Sequence, residues 1–384
     1  MSLPPELAAI RDEAMSTSCE AWAIRHRWKL SRGIDRAGPC PRCGGTDRFS
    51  IHTKKNTFNC RKCGLSGAGV IELVIQLESK EFTEACEIVT GRRASDPIDE
   101  KRMEKLREQN ERNERQREEE AARYREKARE EGYRIWHAGE KQYAGSEVDD
   151  YLFRRLRVAG LELPVRYARA LPYTVKRENG RWETIHSGPA MLAALQLPDG
   201  RFGAVHRTWI DLARDKGKAE LVHPDTGEAL NAKTMRGAKQ GCAIRLVTPD
   251  SPRRIVMGEG IETTATPYVH AFESDTAYWA AGDIGNMAGK AARDGENRML
   301  HDQPDMADRS SFLPPDWCEE LIYLCEGDDP SARTEEKVIR GLRRAQAVRA
   351  AAIASGKKLP ALAIGYVPAP EGAGDLNDLV RVEE

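Results

Sequence analysis

Apolar positions keep three different rhythms along this chain, and each predicts a different element. Leu7, Ile10, Ala14, Trp22, Ile24 and Trp28 recur at the spacing of an amphipathic helical stretch. Phe49 and Ile51 then alternate with Ser50 and His52, Lys54, Lys55 and Asn56 make a turn, and Phe58 returns, which predicts a β-hairpin. Helical spacing resumes in VIELVIQLESKEFTEACEIVTG. Val70, Leu73, Val74 and Leu77 form one stripe there, Phe82, Ala85, Ile88 and Val89 a second, and Gly91 is the stop. From about Asp99 to Glu131 apolar residues nearly vanish, while Glu and Arg or Lys recur three and four residues apart. That run reads as a solvated charged helix serving as a stiff spacer; a flexible charged linker is the other reading.

Beyond about residue 133, short apolar runs alternate with helical patterns, the sign of an α/β domain. The clearest strands are RIVMG (254–258), AYWAAG (277–282), LIYLCEG (321–327) and LAIGYV (362–367). Between the second and third lies RDGENRMLHDQPDMADRSSF, whose length and polarity predict an exposed loop or lid. The chain thus reads as multidomain α+β: a first domain over 1–95, the charged linker over 96–132, a basic subdomain over 133–250, and an α/β domain over 251–384.

Composition changes this picture little. The 60 Lys and Arg nearly balance 61 Asp and Glu, so any nucleic-acid affinity must come from local patches. No span approaches twenty apolar residues and no signal pattern opens the chain, so the expectation is a cytoplasmic protein without a membrane partner. In that reducing setting, paired cysteines point to metal before disulfide.

Four cysteines are so paired. Cys40 and Cys43, then Cys60 and Cys63, form two C-x2-C knuckles with sixteen residues between them, the spacing of a tetrahedral structural Zn2+ held across a β-hairpin. Gly44 and Gly64 follow the second cysteine of each knuckle, where the backbone must bend back. Cys19, Cys86, Cys242, Cys318 and Cys325 show no such pairing.

Three predicted strands run into acids. Glu259 follows RIVMG, Glu326, Asp328 and Asp329 follow LIYLC, and Asp375 and Asp378 flank Asn377 near the C-terminus. In a parallel α/β sheet the residues just beyond the carboxyl ends of strands gather at one edge. Carboxylates meeting there would repel one another unless a hard divalent cation, Mg2+ or Mn2+, neutralised them. Exposed turn acids are the plainer alternative.

These residues resemble a known family. The ribbon with its FTEAC helix is similar to the zinc-binding domain of bacterial, phage and plasmid DNA primases. VMGEGIETTATP, LCEGDDPSA and GDLNDLV resemble successive motifs of a Toprim domain, the catalytic fold of those primases and of some topoisomerases and nucleases. PAMLAALQLPDGRFGAVHRTWIDL and LNAKTMRGAKQGCAIRL resemble the basic subdomain that precedes Toprim in phage and mobile-element primases. The resemblance implies that Glu259, Glu326 and Asp328 are catalytic and that these acids, with Asp329 and Asp375, hold Mg2+ or Mn2+. Glu326 stands where the family's D-x-D motif opens with Asp. Either the motif is Glu326 and Asp328, or it is shifted by one to Gly327 and Asp329. Cys43 stands where many primase ribbons carry His, a change that leaves a closed zinc site.

Template-directed primer synthesis also needs a held strand and held nucleotides. Arg48, Lys54, Lys55, Arg61 and Lys62 can neutralise template phosphates, with Phe49 and Phe58 as stacking faces or simply as ribbon core. Arg207, Lys233, Arg236 and Lys239 form a second basic set, suited to nucleotide phosphates or an RNA–DNA hybrid, with ordinary solvated charge as the alternative. The implied partners are single-stranded DNA and ribonucleoside triphosphates. No G-x-x-x-x-G-K-[ST] phosphate loop occurs, so a separate replicative helicase is a further expected partner. A non-catalytic strand-binding loading factor and a Toprim nuclease remain as alternative functions.

Overall fold

The computed structural model describes residues 4–96, 100–177, 180–294, 299–327, 333–369, 374 and 376–380. The chain divides into two compact units, Met1–Tyr124 and Arg125–Glu384.

In the first unit, helices α1 (Pro5–Met15) and α2 (Cys19–Arg25) precede four strands, β1 (Asp35–Cys40), β2 (Gly44–His52), β3 (Thr57–Cys60) and β4 (Ser66–Ala68). The strands form one antiparallel sheet in sequence order. The predicted hairpin is β2–β3, with Phe49 opposite Cys60 and Ile51 opposite Phe58. Asn56 in its turn takes φ 53° and accepts a hydrogen bond from the Cys19 N–H at 2.8 Å, tying the hairpin tip to α2. The single helix expected over the two apolar stripes is two helices, α3 (Val70–Glu78) and α4 (Phe82–Thr90). Ser79 ends α3 in the left-handed region at φ 52°. The break rotates the second stripe, so Ala85, Cys86 and Val89 are buried while Phe82 and Ile88 face outward.

The charged run is helical: α5 spans Glu100–Ala138. Within the first unit the Asn110 side chain donates to the Asp12 carbonyl at 3.2 Å, and Glu120 lies 3.6 Å from Lys54. Within the second unit the final turns of α5 are packed rather than solvated. Ala128 is buried, and Gly132 lies so close to the Arg236 carbonyl that a Cβ there would sit 2.3 Å from the oxygen.

The rest of the second unit begins with α6 (Glu147–Leu156), N-capped by Ser146. Strands β5 (Val165–Lys176), β6 (Trp182–Gln196) and β7 (Phe202–Trp209) follow, then a small ribbon of β8 (Leu221–Val222) and β9 (Ala229–Leu230), then β10 (Lys233–Gly237). These make an antiparallel sheet in the order β10-β7-β6-β5.

A second sheet holds β11 (Ile244–Val247), β12 (Arg254–Gly258), β13 (Thr276–Ala280), β16 (Glu320–Leu324) and β17 (Ala363–Val367), in the order β11-β13-β12-β16-β17. Its last four strands are parallel and are the four apolar runs read from sequence. Helices α7 (Ile261–His270) and α9 (Arg333–Ala354) pack on these strands, α8 (Ile284–Ala288) packs on α9, and α10 (Leu376–Leu379) on α7 and α6. The chain leaves β12 for β13 on one side and reaches β16 on the other, which makes the β12–β16 boundary the switch point where such sheets bind ligands.

The polar stretch expected to be an exposed loop contributes a hairpin of β14 (Ala291–Arg293) and β15 (Met299–Pro304) and a pinned tail. Arg340 donates to the Gly289 carbonyl at 3.1 Å, Arg344 to those of Asp308 at 3.2 Å and Phe312 at 2.5 Å, and Arg349 to that of Pro315 at 2.6 Å. Buried guanidinium donors thus satisfy carbonyls that irregular backbone would otherwise leave orphaned. Among the described residues no helix is long and apolar enough to cross a membrane.

Candidate functional site

The first site is the cysteine quartet. The turns after β1 and β3 carry Cys40 and Cys43 to face Cys60 and Cys63, and all four sulfurs lie within 4.8 Å of one another. Cys40 to Cys63 is 3.7 Å and Cys43 to Cys60 is 3.6 Å. Four sulfurs about 2.3 Å from one zinc at tetrahedral angles stand about 3.8 Å apart, whereas a disulfide needs about 2.05 Å. The four sulfurs thus stand at the separations that a tetrahedral zinc held by four thiolates requires. Burial pushes the Cys40 thiol up to about 12, while Cys60 is held down to about 6, chiefly by the Cys63 backbone N–H. Cys60 therefore offers a ready thiolate, and a bound cation would deprotonate the rest.

The basic residues of the ribbon separate in space. Arg48 folds back over Gly45, where a Cβ would lie 2.2 Å from Nε, and hydrogen-bonds the Cys43 sulfur; burial and the neighbouring Cys60 and Cys63 nonetheless push the Cys43 thiol up. Arg61 pairs with Asp47 at 3.0 Å and Lys54 with Glu120, whereas Lys55 and Lys62 are exposed without an ion pair among the described residues. Phe49 and Phe58 are buried, and Trp28 meets Phe49 edge-on at 5.7 Å. Facing inward from the hairpin, both rings are ribbon core and offer bases no stacking surface.

The second site lies at the carboxyl edge of the parallel sheet. Glu259 follows β12 and Glu326 lies two residues beyond β16. Glu326 Oε1 accepts hydrogen bonds from the Gly260 N–H at 3.0 Å and the Thr263 hydroxyl at 2.7 Å, which anchors it on the first turn of α7. Its other oxygen carries no hydrogen bond among the described residues. The Gly327 N–H donates to the Gly374 carbonyl, bringing Gly374 to the same edge. Asp328, Asp329 and Asp375 lie outside the described residues. Among the described residues, no third acid stands with Glu259 and Glu326 closely enough to complete a metal cluster. Asp378 lies 4.0 Å from Lys216.

Beneath this edge is a buried polar network that the sequence reading missed. Glu262, in the first turn of α7, receives Lys233 Nζ at 3.1 Å, Lys218 Nζ at 3.9 Å and the Tyr151 hydroxyl. Burial opposes its charge, but Lys233, Lys218 and Arg155 hold its carboxyl well below the usual range. Lys233 is half-buried, yet Glu262 and Glu326 raise it above an ordinary lysine, whereas burial drops Lys218 to about 8. Burial and then Lys233 lower the adjacent His206 to about 3, so that imidazole is neutral. Gly260 sits at the centre: a Cβ there would meet Glu262 Oε2 and Glu326 Oε1 at 3.3 Å and Lys233 Nζ at 3.4 Å.

The second basic set of the sequence is therefore dispersed. Lys233 serves Glu262, Lys239 pairs with Asp283 at 2.8 Å, and Arg236 pairs with Glu131. Arg207 lies over the Trp209 ring at 5.2 Å.

Residues 35–70 match the family described as the zinc-binding domain of primase-helicase, so the ribbon is of primase type. Residues 126–246 match a domain of unknown function, DUF7146. No curated protein matches the chain in sequence. Similar solved structures include the zinc-binding and RNA polymerase domains of the Aquifex aeolicus primase, at 12% identity and TM-score 0.36, over 99% of this chain and 82% of that one. The primase fragment of the bacteriophage T7 primase-helicase protein is similar at 11% identity and TM-score 0.29, over 92% and 95%. A DNA primase domain from Pseudomonas aeruginosa is similar at 12% identity and TM-score 0.35, over 67% and 75%. Scores this low do not by themselves assign a fold.

Proposed function

We propose that this protein is a DNA primase that joins ribonucleotides into short RNA primers on single-stranded DNA, using a Toprim-type acidic edge. The observation that carries the reading is the Gly260-to-Glu326 hydrogen bond, which joins two acid-bearing strand ends at a sheet switch point in a chain with a primase-type ribbon.

Glu259, Glu326, Asp328 and Asp375 would hold Mg2+ or Mn2+ or, in the register shifted to Gly327 and Asp329, Glu259, Asp329 and Asp375 would. A divalent cation supplies charge to the triphosphate under attack and orients it. Thr263 and the Gly260 N–H fix one oxygen of Glu326, leaving the other to face the ligand. Glu259 accepts the proton of the attacking 3′-hydroxyl. Lys233, bonded to Glu262 and charged next to Glu326, keeps the edge from accumulating uncompensated negative charge. Lys55 and Lys62 of the ribbon are left to meet template phosphates, and a replicative helicase on another chain would supply the opened strand.

The test is purified protein with circular single-stranded DNA, labelled ribonucleotides and Mg2+. Short RNA products support the reading; nicked circles without RNA would replace it with a nuclease, and neither product with a strand-binding factor.

A further inference from the structure

Two lysines of the network around Glu262 compete for one carboxylate. Glu262 accepts from Lys233 Nζ at 3.1 Å through Oε2 and from the Tyr151 hydroxyl through Oε1. Lys218 Nζ is left 3.9 Å from Oε1, beyond hydrogen-bond reach. Lys218 and Lys233 also face each other, and Arg155 of α6 adds a further repelling cation. The neutral His206 of β7 contributes no charge.

The chain holds Lys218 in this position. After β7 the Asp211 N–H donates to the Gly217 carbonyl at 3.0 Å, closing a loop, and Lys218 then pairs with Ile210 in an isolated antiparallel bridge. Gly217 takes φ 68°, and a Cβ there would meet the Tyr151 ring at 3.0 Å, so both the turn and the close approach call for glycine. Lys218 thus enters the network next to Tyr151 with its side chain 22% exposed. It is sheltered from bulk water yet open to a small molecule.

The charge state follows from the crowding. With both lysines protonated, three cations surround one carboxylate. Loss of a proton relieves that repulsion, and the lysine without a hydrogen bond to Glu262 is the one that gives it up. Burial, then Lys233 and Arg155, bring Lys218 down to about 8, whereas Lys233 is raised. A lysine beside a second cation is an arrangement that makes an amine nucleophilic near neutral pH, since only the unprotonated form carries a lone pair. At pH 8 about half of such amines are free, against about 0.4% of an ordinary lysine.

We propose that Lys218 is a modification site, a nucleophilic amine that takes an acyl group from a small acyl phosphate. The amine nitrogen attacks the carbonyl carbon and the C–N bond forms. The C–O bond to phosphate breaks, and phosphate leaves with that electron pair and accepts the proton from nitrogen. Charge favours the anionic donor, because with Lys218 neutral the cations Lys233 and Arg155 still outnumber Glu262. It favours the product too, because acylation removes a charge that repels Lys233. The step calls on neither Glu259 nor Glu326 nor a metal, so it stands or falls apart from primer synthesis.

The experiment incubates the full chain with acetyl phosphate over a series of pH values and reads acetylation at each lysine by peptide mass spectrometry. At pH 8 Lys218 should react at least about tenfold faster than Lys55 or Lys216, which are both exposed. Its rate should level off above about pH 8, where the amine is already free, while theirs keep rising toward about pH 10. Lys233→Met removes the competing cation and lets Lys218 pair with Glu262, so acetylation of Lys218 near neutral pH should slow about tenfold. A lysine that reacts only because it is accessible would not respond in this way. The wild-type pH profile decides the matter even if that variant fails to fold. Acetylation of Lys218 no faster than that of Lys55, a Lys218 rate that climbs steadily to about pH 10, or acetylation of Lys233 in its place would overturn the inference.

Discussion

Lys233 Nζ stands 3.1 Å from the buried Glu262 Oε2, a partly buried ion pair that joins β10 of the antiparallel sheet to the first turn of α7. The same turn presents the Gly260 N–H and the Thr263 hydroxyl to Glu326. A structural bond between two parts of the second unit and the anchoring of a proposed metal ligand therefore lie within four consecutive residues, 260–263. Lys233→Ala should lower stability by about 3–5 kcal/mol, because Glu262 stays buried with less compensation. Lys233→Met combined with Glu262→Gln should cost much less than the sum of the single changes, as read by denaturant unfolding. Strict additivity would show that the two side chains do not depend on each other.

Thr263→Val keeps the shape of the side chain and removes only the hydroxyl that holds Glu326 at 2.7 Å. With one carboxylate hydrogen bond lost, worth roughly 1.5 kcal/mol, primer synthesis should fall about tenfold at unchanged melting temperature. Equal synthesis by this variant would free Glu326 from the role given to it.

His206 makes a prediction in pH. The unfolded imidazole takes a proton near pH 6.5, while burial and then Lys233 keep the folded one neutral down to about 3. Between those values the unfolded state binds the extra proton, so stability falls as pH drops below about 6.5, by up to about 1.4 kcal/mol per unit. Calorimetry of wild type and His206→Gln between about pH 4.5 and 7 should show the steeper fall in wild type. Parallel curves would mean the buried imidazole is protonated in the fold.

For the ribbon, elemental analysis should give about one zinc per chain, and Cys60→Ser should lose most of it. Because ligand binding and folding of such a domain are coupled, a chelator should also red-shift the emission of Trp22 and Trp28, which pack in the ribbon core. A fully reduced preparation that holds no zinc yet keeps its ribbon folded would contradict the tetrathiolate.

What could be read from the sequence follows contact distance. The two knuckles and the hairpin between them span 24 residues and announce themselves through cysteine spacing and alternation. The four parallel strands are legible as short apolar runs, and Glu259 and Glu326 because they follow such runs. The network beneath them is not legible: Tyr151 and Glu262 are 111 positions apart and Lys233 and Glu262 are 29 apart, so Lys233 reads from sequence as a phosphate contact rather than as the partner of Glu262. The helix break at Ser79 was hidden because nothing in LESKEF forbids a helix. Likewise, no local pattern says that Arg340, Arg344 and Arg349 are buried; the carbonyls they serve are drawn to α9 only by the tertiary fold.

The most direct test of the account is primer synthesis by Glu259→Gln. The substitution removes a carboxylate charge at the switch point and leaves the Lys233–Glu262 pair and the ribbon untouched. With circular single-stranded DNA, labelled ribonucleotides and Mg2+, the account predicts that wild type makes short RNA and that the variant loses about a thousandfold or more, with zinc content and melting temperature unchanged. Undiminished RNA synthesis by Glu259→Gln would place the catalytic centre elsewhere and contradict the account.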